Sequence, residues 1–117
     1  MENIDTTTYV SYEEFKKMDM RIGTIKSIEL IEGADKLLKC LIDFGESELR
    51  QIVSGIREFF PEYETLIGKQ VLYIVNLEPR TIRGVESQGM LMAVDGKDGK
   101  PVFLVPEGDV MSGSRVR

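Results

Sequence analysis

The sequence predicts an all-β domain with short helices, arranged as a five-stranded Greek-key barrel with small N- and C-terminal additions. Three observations lead to this prediction. Five segments have the residue pattern of β-strands, a short helical stretch separates the third from the fourth, and a glycine interrupts the first. The alternative, a β-sandwich, would need about seven short strands and no helix in the middle of the chain.

The chain is expected to form one domain over residues 1–117, because 117 residues with 42% apolar content suffice for a single core. Residues 1–10 are polar and should form an extended lead-in. Ser11 and Glu14 have the spacing of a helix capping box. A short helix is therefore predicted over 11–18.

The first three strands follow this helix. Apolar residues recur at alternate positions over 20–30, which predicts a long strand, and Gly23 within it indicates a bend or a bulge. The second strand is expected at about 37–44 and the third at about 48–54. Strand order and the bend together match the oligonucleotide/oligosaccharide-binding (OB) barrel.

The second half of the chain begins with a helical stretch that Pro61 interrupts. A fourth strand at about 70–77 is apolar on both faces, so it should be central, and a fifth is expected at about 87–94. After a turn rich in Gly and Asp, 102–105 should add a short strand. We expect the C-terminal addition, 95–117, to contribute to dimerisation.

Composition argues against an enzyme. The chain has no histidine and one cysteine, Cys40, which excludes imidazole-dependent catalysis, an internal disulfide and a cysteine-based zinc cage. Cys40 lies on the apolar face of its predicted strand and should be a buried hydrophobic residue. We therefore expect no catalytic residues, no metal and no cofactor. The polar N-terminus and the lack of a long apolar run favour a cytoplasmic binding module that does not cross a membrane.

The net charge of −5 disfavours a nucleic-acid ligand if it is considered alone. Its distribution is uneven, however. Residues 1–35 carry four basic and eight acidic side chains, and 58–68 carry three acidic and no basic ones. The stretches 36–57 and 69–93 each carry one more basic than acidic side chain. These two stretches hold all eight candidate binding residues.

Polar side chains gather where predicted strands end. The third strand carries an arginine, a glutamine and a serine before Gly55, which suits combined phosphate and base contacts; a solvated strand end is the simpler alternative. After the fourth strand, an asparagine and an arginine flank Pro79, and a proline turn capped by the asparagine explains them equally well. These candidates are Arg50, Gln51, Ser54, Asn76 and Arg80.

Three further candidates lie at the starts of predicted strands. Ser87 can hydrogen-bond to a base and Met90 offers it a soft apolar surface. The alternative is a barrel corner that needs Gly89 for curvature, with Met90 in the core. Lys36 begins the second strand, where loops meet the ligand face, and a salt bridge from Asp35 to a neighbour is the plainer interpretation of that segment.

In their order and spacing, these segments resemble the tRNA-binding domain family. They read FKKMDMRIG (15–23), ADKLL (34–38), RQIVSGI (50–56), NLEPR (76–80) and GVESQGM (84–90). The family includes free-standing structure-specific tRNA-binding proteins and the C-terminal domain or separate beta subunit of methionyl-tRNA synthetase. The resemblance covers about residues 12–117.

The resemblance implies an OB-fold homodimer that recognises tRNA by shape and backbone, either free or bound to a methionyl-tRNA synthetase. It also implies a tRNA-binding face made of matched residues. The alternative function is a chaperone-like or export-related protein on the same scaffold, which would bind peptides instead. The residues implied at the tRNA face are Lys36, Arg50, Gln51, Ser54, Asn76, Arg80, Ser87 and Met90.

Overall fold

A computed structural model describes residues 8–117 and confirms the predicted antiparallel β-barrel. Of the expected lead-in, residues 1–7 lie outside the described residues, and residues 8–10 belong to no helix or strand. The helices are α1 (Tyr12–Lys16) and two short 3₁₀ turns, Arg57–Phe59 and Tyr63–Leu66. The strands are β1 (Met20–Leu30), β2 (Leu38–Asp43), β3 (Arg50–Ser54), β4 (Gln70–Ile74), β5 (Arg80–Ile82), β6 (Val85–Ser87), β7 (Met90–Leu91), β8 (Ala93–Asp95) and β9 (Pro101–Phe103).

Five strands form the barrel sheet in the order β3-β2-β1-β4-β7, with antiparallel neighbours throughout. Strand β1 serves two partners, because its first half pairs with β4 and its second half with β2. The register shifts between Ile25 and Ser27, which is a β-bulge. Gly23 lies just before it, and a Cβ there would lie 2.6 Å from a ring carbon of Phe44. The glycine therefore lets β1 cross tightly over the core.

The helix α1 begins as the capping pattern predicts. The Glu14 amide donates to Ser11 Oγ at 3.1 Å, which satisfies one of the amides that a helix start leaves without a partner. The helix is shorter than expected, since it ends at Lys16. The predicted mid-chain helix is likewise reduced to the two 3₁₀ turns on either side of Pro61.

The expected fifth strand at 87–94 is divided in the structure. It is interrupted at Gln88–Gly89 and at Met92, so that β6, β7 and β8 replace one continuous element. The connection before it, 80–87, is a β-hairpin that the sequence analysis did not predict. Here short strands are specified by turn chemistry and by contacts across the barrel, which apolar periodicity does not report.

The C-terminal addition packs on the barrel's own edge. The Ile22 amide donates to Ser114 O at 2.9 Å, and the Gly113 amide donates to Ile22 O at 2.7 Å. This segment therefore covers the part of β1 that β2 leaves unpaired. Upstream, β8 and β9 pair as the predicted turn requires, and Phe103 stacks on Phe60 with ring centroids 5.2 Å apart.

The core is a contiguous cluster inside the barrel. Cys40 is buried in it, as predicted, and burial raises the pKa of its thiol to about 11, so the thiol stays protonated at neutral pH. Tyr73 is 1% exposed and packs edge-on against Phe44. Its hydroxyl has no hydrogen-bond partner among the described residues. The tyrosine therefore buries a polar atom without compensation.

We predict that Tyr73→Phe stabilises the fold. A buried hydroxyl without a partner costs about 1–3 kcal/mol, and phenylalanine keeps the ring contact while it removes that oxygen. Urea denaturation should show a higher midpoint with an unchanged slope. The matched control is Tyr9→Phe, whose hydroxyl lies on an exposed side chain and should change nothing. A lower midpoint for Tyr73→Phe would contradict the prediction.

Candidate nucleic-acid interface

The barrel closes between β3 and the segment 86–89, and most of this contact uses side chains as partners. The Val53 amide donates to Ser87 Oγ at 3.0 Å, and the Gln51 amide donates to Gln88 Oε1 at 3.0 Å. The Gln88 amide in turn donates to Gln51 O at 2.8 Å. We call this contact the closing seam. It satisfies the outer edge of β3, which would otherwise be an open strand edge.

Two further hydrogen bonds stabilise the closing seam through the carbonyl groups of residues 86 and 89. Ser87 is buried and its hydroxyl donates to Gly89 O at 3.2 Å. The Gln51 side-chain amide donates to Glu86 O at 2.7 Å. Gly89 has a φ of +154°, and a Cβ there would lie 3.0 Å from Ile74 O, so this crossing needs a glycine.

Next to the closing seam lies a groove of about 500 Å³. Its lining is mostly apolar, with one arginine and two serines among the polar side chains. Four of the eight predicted tRNA-face residues lie in it together: Ser54, Arg80, Ser87 and Met90. The apolar lining residues beside them are Leu37, Val53, Ile56, Leu77, Ile82, Leu91 and Ala93.

The four groove residues differ in availability to a ligand. The Arg80 side chain is exposed and its guanidinium has no hydrogen bond or ion pair with another described residue. Met90 is 42% exposed rather than a core residue, and Ser54 is half-buried. Ser87 is 5% exposed and its hydroxyl is used by the closing seam. A ligand in the groove therefore meets the Arg80 cation and the Glu78 carboxylate within a mostly apolar lining.

Arg50 lies outside this groove and is held by protein acceptors. Its Nε and Nη2 donate to the two carboxylate oxygens of Glu46 at 2.8 and 2.9 Å. Its Nη1 donates to Val75 O at 2.7 Å and to Gln88 O at 3.3 Å. The guanidinium also lies 5.6 Å from the centre of the Phe44 ring. These contacts join β3, the end of β4 and the closing seam.

The Arg50–Glu46 pair shifts both titrations. Hydrogen bonding to Glu46 raises the pKa of Arg50, and hydrogen bonding to Arg50 lowers the pKa of the Glu46 carboxyl. Because the carboxyl pKa is lowered, the pair persists at neutral pH and is lost only as the pH falls through that lowered value.

The remaining predicted residues have separate settings. Asn76 joins α1 to the end of β4, since its Oδ1 accepts from the Asp19 amide at 2.9 Å and its Nδ2 donates to Lys17 O at 2.6 Å. Gln51 contributes its side chain to the closing seam. Lys36 is exposed, precedes the groove residue Leu37, and forms no ion pair with another described residue.

Sequence analysis missed two features of this face. The first is the carboxylate of Glu46, whose (i, i+4) spacing to Arg50 across a turn gave no helical signal. The second is the hairpin formed by β5 and β6, which we call the arginine hairpin because it carries Arg80 and Arg83. The dipeptide Arg83–Gly84 between two short β-prone runs was the available signal for it.

In the part of the chain that the structure describes, no three Cys, Asp or Glu side chains come together as a metal site. Within the same residues, no helix has the length and apolar character needed to cross a membrane.

Fold and groove together define a small OB-type barrel with a candidate ligand face, which we call the ligand face, formed by β3, the arginine hairpin and β7. A family model described as "Putative tRNA binding domain" matches residues 20–115. The chain belongs to this tRNA-binding domain family.

The proteins that the chain resembles include methionine–tRNA ligases and solved proteins of about its own size. The chain is 42% identical over 116 residues to the methionine–tRNA ligase of Methanothrix thermoacetophila, and it spans 17% of that protein's length. A solved MetRS-related protein from Pyrococcus horikoshii has a TM-score of 0.84 at 40% identity, over 95% of this chain and all of that one. The chaperone CsaA of Bacillus anthracis has a TM-score of 0.81 at 27% identity, over 94% of this chain and all of that one.

We predict that Ser87→Ala destabilises the fold by about 1–3 kcal/mol, because the buried Val53 amide would have no acceptor. The measurement is the free energy of unfolding in urea. Ser47→Ala, on an exposed turn, is the matched control and should change stability little. Equal stability of Ser87→Ala and the unsubstituted protein would show that the side-chain acceptor is dispensable.

Proposed function

We propose that this chain is a non-catalytic tRNA-binding module that holds tRNA against the groove and the arginine hairpin. The observation that carries the proposal is Arg80, a cation without an intramolecular partner among the described residues, at an apolar groove, in a member of the tRNA-binding domain family. An arginine in this setting can form two parallel hydrogen bonds to a phosphate.

The groove supplies the second half of the interaction. Met90 and Leu77, 42% and 44% exposed, offer flat apolar area on which an unstacked base can lie. The Ser54 hydroxyl can donate to a base edge or to a ribose. Lys36 adds a second cation close to Leu37. Phosphate contacts then fix the position of the RNA, and the groove sets which part of the tRNA shape fits.

The other predicted residues act through these. We propose that Arg50 holds Val75 O and Gln88 O in place beneath the ligand face. Gln51 and the Ser87 hydroxyl keep β3 joined to the arginine hairpin. Asn76 joins the end of β4 to the segment after α1. This contact helps to set the position from which β5, with Arg80, begins. Each of these side chains would position the surface that tRNA contacts.

We propose no catalytic activity for the chain itself, although its relatives include whole methionine–tRNA ligases. The absence of histidine from the sequence and the buried, protonated Cys40 leave it without an imidazole base and without an activated thiolate nucleophile. It would act either alone or as the tRNA-holding beta subunit beside a methionyl-tRNA synthetase, in the cytoplasm where such enzymes work. The match to the solved MetRS-related protein covers all of that chain, and this supports the proposal that the domain acts apart from a synthetase polypeptide.

We also propose that the single domain assembles as a homodimer. Tyr12, Phe15 and Met18 expose 70%, 39% and 42% of their surface beside the C-terminal Val116, in a groove between α1 and the tail. Apolar side chains gathered in this way mark an interface. A twofold dimer would present two ligand faces to one tRNA and would raise avidity without new contacts.

A chaperone-like function is the second candidate. It is favoured by the likeness to CsaA, which the chain covers in full. That function would use the groove for an apolar peptide segment, so binding would depend weakly on salt. Salt dependence of tRNA binding therefore separates the two candidates.

The proposed function predicts a steep dependence of tRNA affinity on salt. If the dimer neutralises roughly four to eight phosphates, the slope of log affinity against log salt should be about −3 to −7. Arg80→Gln should weaken binding several-fold at low salt. It should also make the slope shallower by about 1 for each phosphate that is no longer neutralised. The measurement is a titration of unfractionated tRNA at several salt concentrations.

The matched control is Lys69→Gln, which removes one exposed charge at the opposite end of β4 from Arg80. It should bind like the unsubstituted protein. No binding at 50 mM salt, a flat salt response, or equally weakened binding by both variants would contradict the proposed interface.

The dimer is tested by light scattering at micromolar concentration. The expected mass is twice the 13.3 kDa of one chain. Phe15→Glu should shift it to one chain because it replaces an exposed apolar ring beside Tyr12, Met18 and Val116 with a charge. Ile67→Glu, at another exposed apolar residue, should leave the dimer intact. A monomeric unsubstituted protein would end this proposal while leaving the tRNA titration unaffected.

A further inference from the structure

The arginine hairpin turns through two residues. Ile82 pairs with Val85, so Arg83 and Gly84 form the whole loop. Their φ values are +53° and +78°. Positive φ at both central positions defines the type I′ turn, whose twist matches that of the flanking strands.

Arg83 is an unexpected residue for the first position of this turn. It is the one non-glycine residue with positive φ among residues 8–117. Asparagine, aspartate or glycine is strongly preferred there, because a short polar side chain or none tolerates the left-handed conformation. The hairpin would therefore form more easily with Asn-Gly than with Arg-Gly.

Nothing within the described fold compensates for this choice. The Arg83 side chain is exposed and forms no hydrogen bond, ion pair or ring contact with another described residue. Arg50 provides the contrast, because its guanidinium donates four hydrogen bonds to protein oxygens, as expected of an arginine with a structural role. Arg83 makes no such contacts with the described residues, so its guanidinium remains available to a ligand.

The tip of the arginine hairpin is held in one place relative to the groove. Glu86 O accepts from Gln51 Nε2 and Ser87 Oγ accepts from the Val53 amide, so β6 is fixed to β3. Arg80 and Ile82 of β5 line the groove. Arg83 lies three residue steps from Arg80, which in extended chain places their Cα atoms about 10 Å apart. Arg80 therefore lies in the groove and Arg83 lies at the turn of the same hairpin, whose strand β6 is hydrogen-bonded to β3.

We propose that Arg83 is a second phosphate-contacting residue of the ligand face and that it extends the RNA contact beyond the groove. This inference rests on the proposed function, and it names the ligand group as a backbone phosphate next to the one that Arg80 meets. Two arginines are useful here because Glu78, in the groove, and Glu86, on β6, oppose a polyanion.

The experiment compares Arg83→Asn with the unsubstituted protein in two measurements. Thermal unfolding should show an equal or higher midpoint, because Asn-Gly suits the turn better. Titration with unfractionated tRNA at low salt should show affinity about three- to tenfold lower and a log–log salt slope shallower by about 1. Opposite changes in stability and binding would not arise from a purely structural residue.

Two further variants make the result decisive. Arg83→Lys keeps the charge and should retain most of the affinity and the original salt slope. Lys69→Asn removes a matched charge at the far end of β4 and should bind tRNA normally. If Arg83→Asn binds like the unsubstituted protein, or Arg83→Lys binds as weakly as Arg83→Asn with the same slope, the inference is overturned. Failure of the unsubstituted protein to bind tRNA would instead overturn the proposed function.

Discussion

The ligand face depends on how the barrel closes. Strand β3 meets the segment 86–89 mainly through the Ser87 hydroxyl and the Gln88 side-chain amide, because the short strands there cannot extend a regular backbone ladder. The same bonds fix the position of the arginine hairpin, and Gly89 permits the close crossing beside Ile74. Removing one such acceptor costs about 1–3 kcal/mol, a substantial share of the roughly 5–15 kcal/mol that stabilises a domain of this kind.

An acidic chain can bind a polyanion if its cations are unpaired on one face. Arg50 illustrates the opposite case, since Glu46 neutralises it and directs it to a structural role. Arg80, Arg83 and Lys36 have no ion pair within residues 8–117. The acidic excess lies largely in residues 1–35 and 58–68. Local potential, rather than net charge, then governs where RNA can approach.

Sequence periodicity predicted the strands whose side chains alternate over five or more residues, such as 20–30, and the central position of β4. It failed at 87–94, where strands of two or three residues are too short to show alternation. There, turn geometry and side-chain hydrogen bonds decide the structure. The motif around Ser87 was found, but its hydrogen bonds to β3 depend on contacts between residues 34 positions apart. The partner of Arg50 was missed for a similar reason, because a turn brings Glu46 to it.

Hydrogen exchange of the backbone amides, measured on the protein with and without saturating tRNA, tests the location of the ligand face most directly. Binding at this face should slow exchange in residues 80–91 and near Ser54, and leave exchange at 62–69 unchanged. Protection confined to α1 and the C-terminal tail, or none at 80–91 while tRNA is bound, would contradict this location of the ligand face.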